Sequence, residues 1–113
     1  MTKYLVAIHR PNGFDPAMTV DAVMRRDIDA LNAEMVAAGV RVFVGGLQPP
    51  GRAKSLLRQP DGSVLTTDGP YLKTGEFVDG FWVLEVANRD EAQAWGRKAA
   101  QACRASVEVR PFH

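Results

Sequence analysis

The segment at residues 80–87, GFWVLEVA, is apolar at both odd and even positions. Alternate residues of a strand face opposite sides of its sheet. Both sides of this strand are therefore apolar, with Phe81 and Val83 on one side and Trp82, Leu84 and Val86 on the other. Residues 3–9, KYLVAIH, repeat the pattern. An antiparallel sheet with one face in water alternates apolar and polar residues instead, so a sheet made from these strands must be covered on both faces.

The remaining segments predict two helices, two more strands and a hairpin. Apolar residues recur at three- and four-residue steps in residues 19–39 and 88–102, which is typical of amphipathic helices. We expect Thr19 or Asp15 to cap the first helix and Gly39 to end it, whereas Asn88 caps the second. The predicted strands lie at 3–9, 40–46, 80–87 and 105–111, with a hairpin of residues 52–58 and 63–67 around the turn QPDG and a loop at 68–79.

This order of elements predicts an α+β fold. It corresponds to a ferredoxin-like βαββαβ arrangement with an inserted β-hairpin and two helices on one sheet face. Two helices leave the second apolar face bare, so we predict a homodimer joined through the sheet. The alternative is that the inserted hairpin folds over that face.

Composition excludes several classes of partner. A chain of 113 residues fits a single domain, residues 1–113. The 14 basic and 13 acidic residues are nearly balanced, so neither nucleic acid nor a membrane is an expected partner. The first apolar run reaches His9 and Arg10 too soon to be a signal sequence or a span. One cysteine and two histidines cannot form a metal site alone, although carboxylates could complete one, and we expect no metal. A single cysteine also indicates a reducing, cytoplasmic setting.

Four ordered blocks of the sequence resemble one known family. They are VGGLQPPGRA at 44–53, VLTTDGPY at 64–71, GFWVLEVANRDEAQAW at 80–95 and SVEVRPF at 106–112. The chain resembles the YCII-related proteins from residue 3 to residue 112, and in particular the subgroup named for an Asp-Gly-Pro-Phe motif, which reads DGPY at residues 68–71. The resemblance implies a ferredoxin-like fold assembled as a dimeric α+β barrel.

The same resemblance implies two kinds of function. Some members of the family look like cofactor-free enzymes that use a His-Asp pair with the His on the first helix, and others are linked to sigma factors. The first helix of this chain has no His, and the segment before Gly39 has no Asp, so that pair does not transfer. The glycine-rich segment GGLQPPG lacks the Lys-Ser/Thr of a phosphate loop, so no nucleotide cofactor is expected.

His9 and Asp68 are the candidate catalytic residues. His9 ends the first strand near the loops, and an imidazole can exchange a proton near neutral pH. The alternative is a solvent-exposed or structurally satisfied histidine. Asp68 opens the DGPY segment and can act as acid, base or acceptor. Its alternative role is to hold the loop through an Asx-turn.

Four further residues are candidates for ligand binding. Glu108 and Arg110 alternate with valines on the last strand, so they share a face. There they either line a pocket, with Arg110 clamping an anion, or form a solvated edge. Gln48 beside two prolines can offer an amide or simply end a strand. Tyr71 can stack on a flat ligand or belong to the core.

Two functions are consistent with these residues. One is an enzyme whose cleft, between the open sheet face and the 68–79 loop, performs acid–base chemistry on a small aromatic or carboxylated molecule. His9 or Asp68 would move the proton, and Arg110 would hold the anionic group. The other is a ligand-binding or regulatory module associated with a transcription system.

Overall fold

The computed structural model describes all residues from 1 to 113 and consists of six strands, three helices and a 3-10 turn. The strands are β1 (Thr2–Pro11), β2 (Arg41–Gly46), β3 (Lys54–Arg58), β4 (Val64–Asp68), β5 (Glu76–Val86) and β6 (Ser106–Pro111). The helices are α1 (Pro16–Thr19), α2 (Ala22–Ala37) and α3 (Arg89–Cys103), and the 3-10 turn is Pro50–Arg52.

The predicted α+β fold is confirmed. Four strands form an antiparallel sheet in the order β2-β5-β1-β6, and β3 and β4 form a separate hairpin. The order places the two strands that follow helices at the edges and the other two in the centre. This is the arrangement of a ferredoxin-like fold, with the hairpin inserted after β2.

The start of the first helix differs from the prediction. Asp15 caps only the four-residue α1, where its side chain accepts a hydrogen bond from the amide of Ala17 at 3.0 Å. The long helix α2 begins after Asp21, whose carboxylate accepts from the amide of Met24 at 2.9 Å. Thr19 caps neither helix. Asn88 caps α3 as predicted.

None of the three helices combines the length and the apolar composition that a membrane span requires.

The core lies between one face of the sheet and the helices α2 and α3. Trp82, Leu84 and Val86 of β5 are fully buried there, together with Val6 of β1 and Met35 of α2. The indole of Trp82 donates to the side-chain oxygen of Asn32 at 2.9 Å. A buried indole needs such a partner, because a hydrogen-bond donor left without an acceptor in the core lowers stability by about 1–3 kcal/mol.

Two glycines allow close backbone approach within this layer. A Cβ added at Gly96 of α3 would lie 2.6 Å from Cγ2 of Val109 on β6, so α3 can pack closely against the sheet only because that carbon is missing. A Cβ added at Gly80 of β5 would lie 2.8 Å from the carbonyl oxygen of Gly45 on β2.

The second face of the sheet is not covered by any element, and we call it the open face. On β1 and β5 it carries Leu5 paired with Val83 and Ala7 paired with Phe81. Phe43 of β2 stands beside Phe81, with ring centroids 5.9 Å apart, and remains 53% exposed. Along β6 the face becomes polar, with Ser106, Glu108 and Arg110.

The hairpin, residues 54–68, projects from the sheet and is called the arm. Its two strands pair with each other and pack on no strand of the main sheet to any extent. The radius of gyration is 16.0 Å, compared with about 13 Å for a compact domain of this length. The alternative prediction, in which the hairpin covers the open face, is therefore wrong within a single chain. The apolar side chains of the arm do not reach that face, since Leu56, Val64 and Leu65 are each more than half exposed.

Strand β5 begins four residues earlier than predicted. The sequence predicts a loop at residues 68–79, but residues 76–78 pair with the outer end of β1, from His9 to Pro11. The ladder shifts register between Ile8 and His9, which is a β-bulge. Such bulges re-aim side chains at the edges of sheets. The rim formed by these paired ends positions the candidate site.

Candidate functional site

Two adjoining hollows lie at the rim of the sheet, and together we call them the rim cleft. Both are lined by Pro70, Phe77 and Val78. One hollow has a volume of about 350 Å³ and extends along residues 47–53, and we call it the Arg52 hollow. The other has a volume of about 690 Å³ and extends to His9 and residues 72–76. We call it the His9 hollow.

Backbone hydrogen bonds fix the walls of this cleft. The amide of Leu47 donates to the carbonyl of Asp79 at 2.7 Å, which holds the Pro49–Pro50 segment against the start of β5. The amide of Gly69 donates to the carbonyl of Ala53 at 2.8 Å. Gly69 has a φ of +90°, a conformation that favours glycine. The DGPY segment is thereby tied to the base of the arm, and Pro70 becomes a wall shared by both hollows.

His9 lies in the rim cleft. It occupies the open face of β1, half-buried, with Val78 as its partner on β5 and Ser106 as its partner on β6. Glu76 lines the same hollow. The structure therefore places an imidazole and a carboxylate around one cavity, the two groups from which general acid–base sites are commonly made.

Asp68 lies outside the lining of both hollows. Its side chain is 83% exposed at the end of β4, where its carboxylate forms an ion pair with Lys54 on the facing strand. It makes no hydrogen bond or ion pair with His9. The two candidate catalytic residues are thus not joined, and Asp68 contributes to the base of the arm.

The four candidate binding residues fall in different places. Gln48 lines the Arg52 hollow. Glu108 and Arg110 stand on the open face beyond the rim cleft, where Arg110 donates through Nε and Nη2 to the carboxylate of Glu108. The Nε–Oε2 distance is 2.8 Å, so the fork of Arg110 is occupied within the chain. Tyr71 is 71% exposed and lines neither hollow.

Arg52 and Glu76 are cleft residues that the sequence analysis did not select. Arg52 ends the Pro50–Arg52 turn, and it is the one charged side chain that lines its hollow. The signal that could have identified it is the segment PPGR, in which two prolines fix the backbone immediately before a cation. Glu76 joins the His9 hollow through the pairing of β5 with the outer end of β1, which the predicted loop at 68–79 does not include.

A buried cation supports the rim from the helix side. Arg10 is 5% exposed, and it donates to the carbonyl of Cys103 at the end of α3 and through Nε to Asp79 at 3.4 Å. Its guanidinium also lies 4.4 Å from the ring centroid of Phe14. Burial raises the pKa of the Cys103 thiol, and the nearby Arg10 charge partly opposes that shift. These contacts connect α3, the bulge in β5 and the loop after β1.

The structure contains no group of three or more His, Cys, Asp or Glu side chains that could hold a metal ion. The rim cleft itself brings together one imidazole, one carboxylate, one guanidinium and one primary amide around apolar walls. This set can bind a small organic molecule and exchange a proton with it.

Comparison with known proteins gives two matches. The family model described as the YCII-related domain matches residues 1–113. The chain is also 34% identical over 94 residues to an uncharacterised protein from Rhizobium meliloti (strain 1021). That alignment covers 81% of this chain and 75% of the other protein.

Proposed function

This chain belongs to the YCII-related family, and from that membership we propose that it is a cofactor-independent enzyme performing acid–base chemistry on a small aromatic or carboxylated molecule. The observation that carries the proposal is the position of His9, half-buried and lining a cavity of about 690 Å³ at the sheet rim. It is the one histidine in the interior of the sequence. Membership of the subgroup named for the DGPF motif is part of the proposal.

In this mechanism His9 moves the proton. A neutral imidazole accepts a proton from an acidic C–H or O–H of the bound molecule and later returns it. Glu76 lines the same hollow and serves as a second acid–base group. Phe77 and Val78 give the hollow an apolar wall against which the body of the bound molecule can pack. Asp68 takes no part in this mechanism, because it lies outside the lining of both hollows and pairs with Lys54.

The proposal includes a homodimer joined through the open face, in the cytoplasm. Leu5, Phe81 and Val83 form an apolar strip along the middle of that face, and Phe43 extends it to the edge. Monomeric proteins rarely leave such a continuous strip in water. Because His9 borders the strip, a partner placed on the open face would also narrow the cleft. The free thiol of Cys103 is consistent with a reducing compartment.

A ligand-binding or regulatory module is the second candidate. It is favoured by the ion pair of Asp68 with Lys54 and by the absence of histidine from α2. Such a module, linked to a sigma-factor system, would hold a ligand in the same cleft without converting it. The balanced charge of the chain argues against direct contact with DNA.

One experiment distinguishes the two functions. A panel of small aromatic and aliphatic carboxylates is incubated with the protein, and binding and conversion are followed together by NMR. For an enzyme we expect conversion of at least one compound, and a loss of about 100-fold or more in rate for His9→Asn. His113→Asn at the chain end is the matched control and should retain full activity.

Each outcome of this experiment supports a different conclusion about the cleft. Conversion that survives His9→Asn would overturn the role of His9. Compounds that shift the amide signals of Val78 and Phe77 but are never converted would support the binding module. Compounds that bind elsewhere, or not at all, would exclude the rim cleft as the functional site.

A further inference from the structure

Within the proposed function, we infer that Arg52 recognises the anionic group of the ligand, and that the ligand is a small monocarboxylate with a flat apolar body. This inference rests on the proposed use of the rim cleft. It assigns the anchoring role to Arg52, whereas the sequence alone favoured Arg110.

The charge distribution of the Arg52 hollow supports this assignment. Its other lining residues are the neutral Gln48 and apolar or backbone groups, and no acidic residue lines it. Arg52 is exposed and takes part in none of the ion pairs of the chain. Its guanidinium therefore presents an uncompensated positive charge beside an apolar surface, and a carboxylate complements that charge.

Other arginines near the sheet are already engaged. Arg10 pairs with Asp79, Arg41 with Asn32, Arg104 with Asp27 and Arg110 with Glu108. An anion that bound one of these would first have to displace its partner. Because Arg52 has no protein partner, a ligand carboxylate would displace only water from its guanidinium.

The backbone beneath Arg52 is held in place. Its amide donates to the carbonyl of Pro49 at 2.9 Å, and the following amide, of Ala53, donates to Pro50 at 3.0 Å. Pro50 opens the turn, and proline fixes its own φ. Because this backbone is already held, binding at Arg52 need not order the loop, which lowers the entropic cost of binding. The amide of Gln48 lies in the same hollow as a second possible donor to a carboxylate.

The shape of the cleft defines the rest of the ligand. The Arg52 hollow and the His9 hollow meet at Pro70, Phe77 and Val78. A carboxylate held by Arg52 would place an attached ring against these apolar side chains. The far end of the ring then points toward the hollow that contains His9. A single flat molecule that lies along the shared walls would therefore have its anionic end in the Arg52 hollow and its other end toward the His9 hollow.

Benzoate and its neutral counterpart benzamide test the inference. Binding of each to the full-length protein is measured by NMR titration at constant ionic strength, with the amides of Phe77 and Val78 as reporters. We expect benzoate to bind at least about tenfold more tightly than benzamide, because a hydrogen bond to a charged group contributes about 1.5–3 kcal/mol. Arg52→Gln should remove this preference, and Arg52→Lys should restore part of it.

Two matched variants serve as controls. Arg58→Gln changes an exposed arginine on the arm, and Arg110→Gln changes the residue that the sequence favoured; both should retain the preference for benzoate. A loss of preference in Arg110→Gln but not in Arg52→Gln would overturn the inference. Equal binding of benzoate and benzamide in the cleft would also overturn it but would leave the proposed cleft intact. If neither compound affects Phe77 or Val78, the inference and the proposed cleft both fail.

Discussion

Cys103 occupies a buried position at the end of α3, next to the guanidinium of Arg10, whose side chain donates to the Cys103 carbonyl. Burial disfavours the thiolate and raises the pKa of this thiol above its ordinary value of 9.0. The thiol is thus a small apolar group of the core and a poor nucleophile at neutral pH.

The raised pKa predicts how stability changes with pH. Below pH 9 the thiol is protonated in both the folded and the unfolded chain, so its contribution to stability is fully present. As the pH rises above about 9, the unfolded chain loses the proton first, and the free energy of unfolding falls. Denaturant titrations between pH 8 and pH 10.5 should show a steeper fall for the wild type than for Cys103→Ala. Equal slopes would contradict the prediction.

Gly96 sets the distance between α3 and β6. In Gly96→Ala the new methyl group would meet Val109 at 2.6 Å, and a valine side chain has little freedom to move aside. Overpacking of this kind costs about 1–3 kcal/mol, against a gain of about 1 kcal/mol in helix propensity. With the new methyl group as close as 2.6 Å to Val109, we expect a net loss of about 1–2 kcal/mol in the free energy of unfolding, measured with urea.

Two further variants check the cause. Gly75→Ala adds a methyl group in open space and should change stability by less than about 0.5 kcal/mol. Val109→Ala combined with Gly96→Ala should be more stable than the sum of the single changes predicts, because the shorter side chain makes room. Strict additivity would show that the contact does not limit the packing of α3.

The arm is separate from the apolar core of the domain. None of its residues belongs to the buried apolar cluster between the sheet and the helices. Lys54 and Asp68 face each other as the first pair of its ladder, so a short turn can replace everything between them. An isolated two-stranded hairpin is marginally stable in water, so the arm contributes little to the stability of the fold.

Replacement of residues 55–67 by Asn-Gly tests this separation. The two-residue turn is compatible with a paired antiparallel ladder. We expect the shortened chain to unfold cooperatively, with a free energy of unfolding within about 1 kcal/mol of the wild type, because the apolar core is untouched and the hydrogen bond lost from Ser55 to the Gly69 carbonyl contributes about 1 kcal/mol. Circular dichroism and urea titration measure this. A collapse of the unfolding transition would show that the arm is needed for folding.

Element order and core faces could be predicted from the sequence because hydrophobic periodicity reports burial. Trp82 and Val6 lie in the core for this reason. Positions set by local polar contacts could not be predicted in the same way. Asp21 and Asp15 are both plausible caps by residue type, and only the path of the chain decides between them. Arg52 joins the cleft through tertiary contacts, which leave no periodic signal in the sequence.

The open face leaves an apolar strip of the sheet that no element of the same chain covers. A homodimer through this face predicts a solution mass of twice the chain's 12.4 kDa at micromolar concentration. Phe81→Lys should weaken dimerisation by at least about 100-fold, because burying an unpaired ammonium group costs several kcal/mol. Light scattering after size exclusion measures the mass.

Val36→Lys is the matched control. Val36 is an apolar residue of α2 that is 55% exposed, away from the open face, so the variant should remain dimeric. Both variants should keep the circular dichroism of the wild type. A wild-type protein that elutes as a monomer, or a Phe81→Lys variant with unchanged mass, would contradict the dimer.

The bulge beside His9 makes the register of β1 and β5 at the rim independent of their register in the central sheet. The pairing of Val6 with Trp82 is fixed on the inner side of the bulge, whereas His9 and Val78 pair on its outer side. Loops at the outer end can therefore lengthen, shorten or change residues while the helix-covered layer keeps its register. The same sheet and helices can therefore carry different loops at the entrance of the cleft. Proteins with the same strands can in this way differ in the molecules they bind.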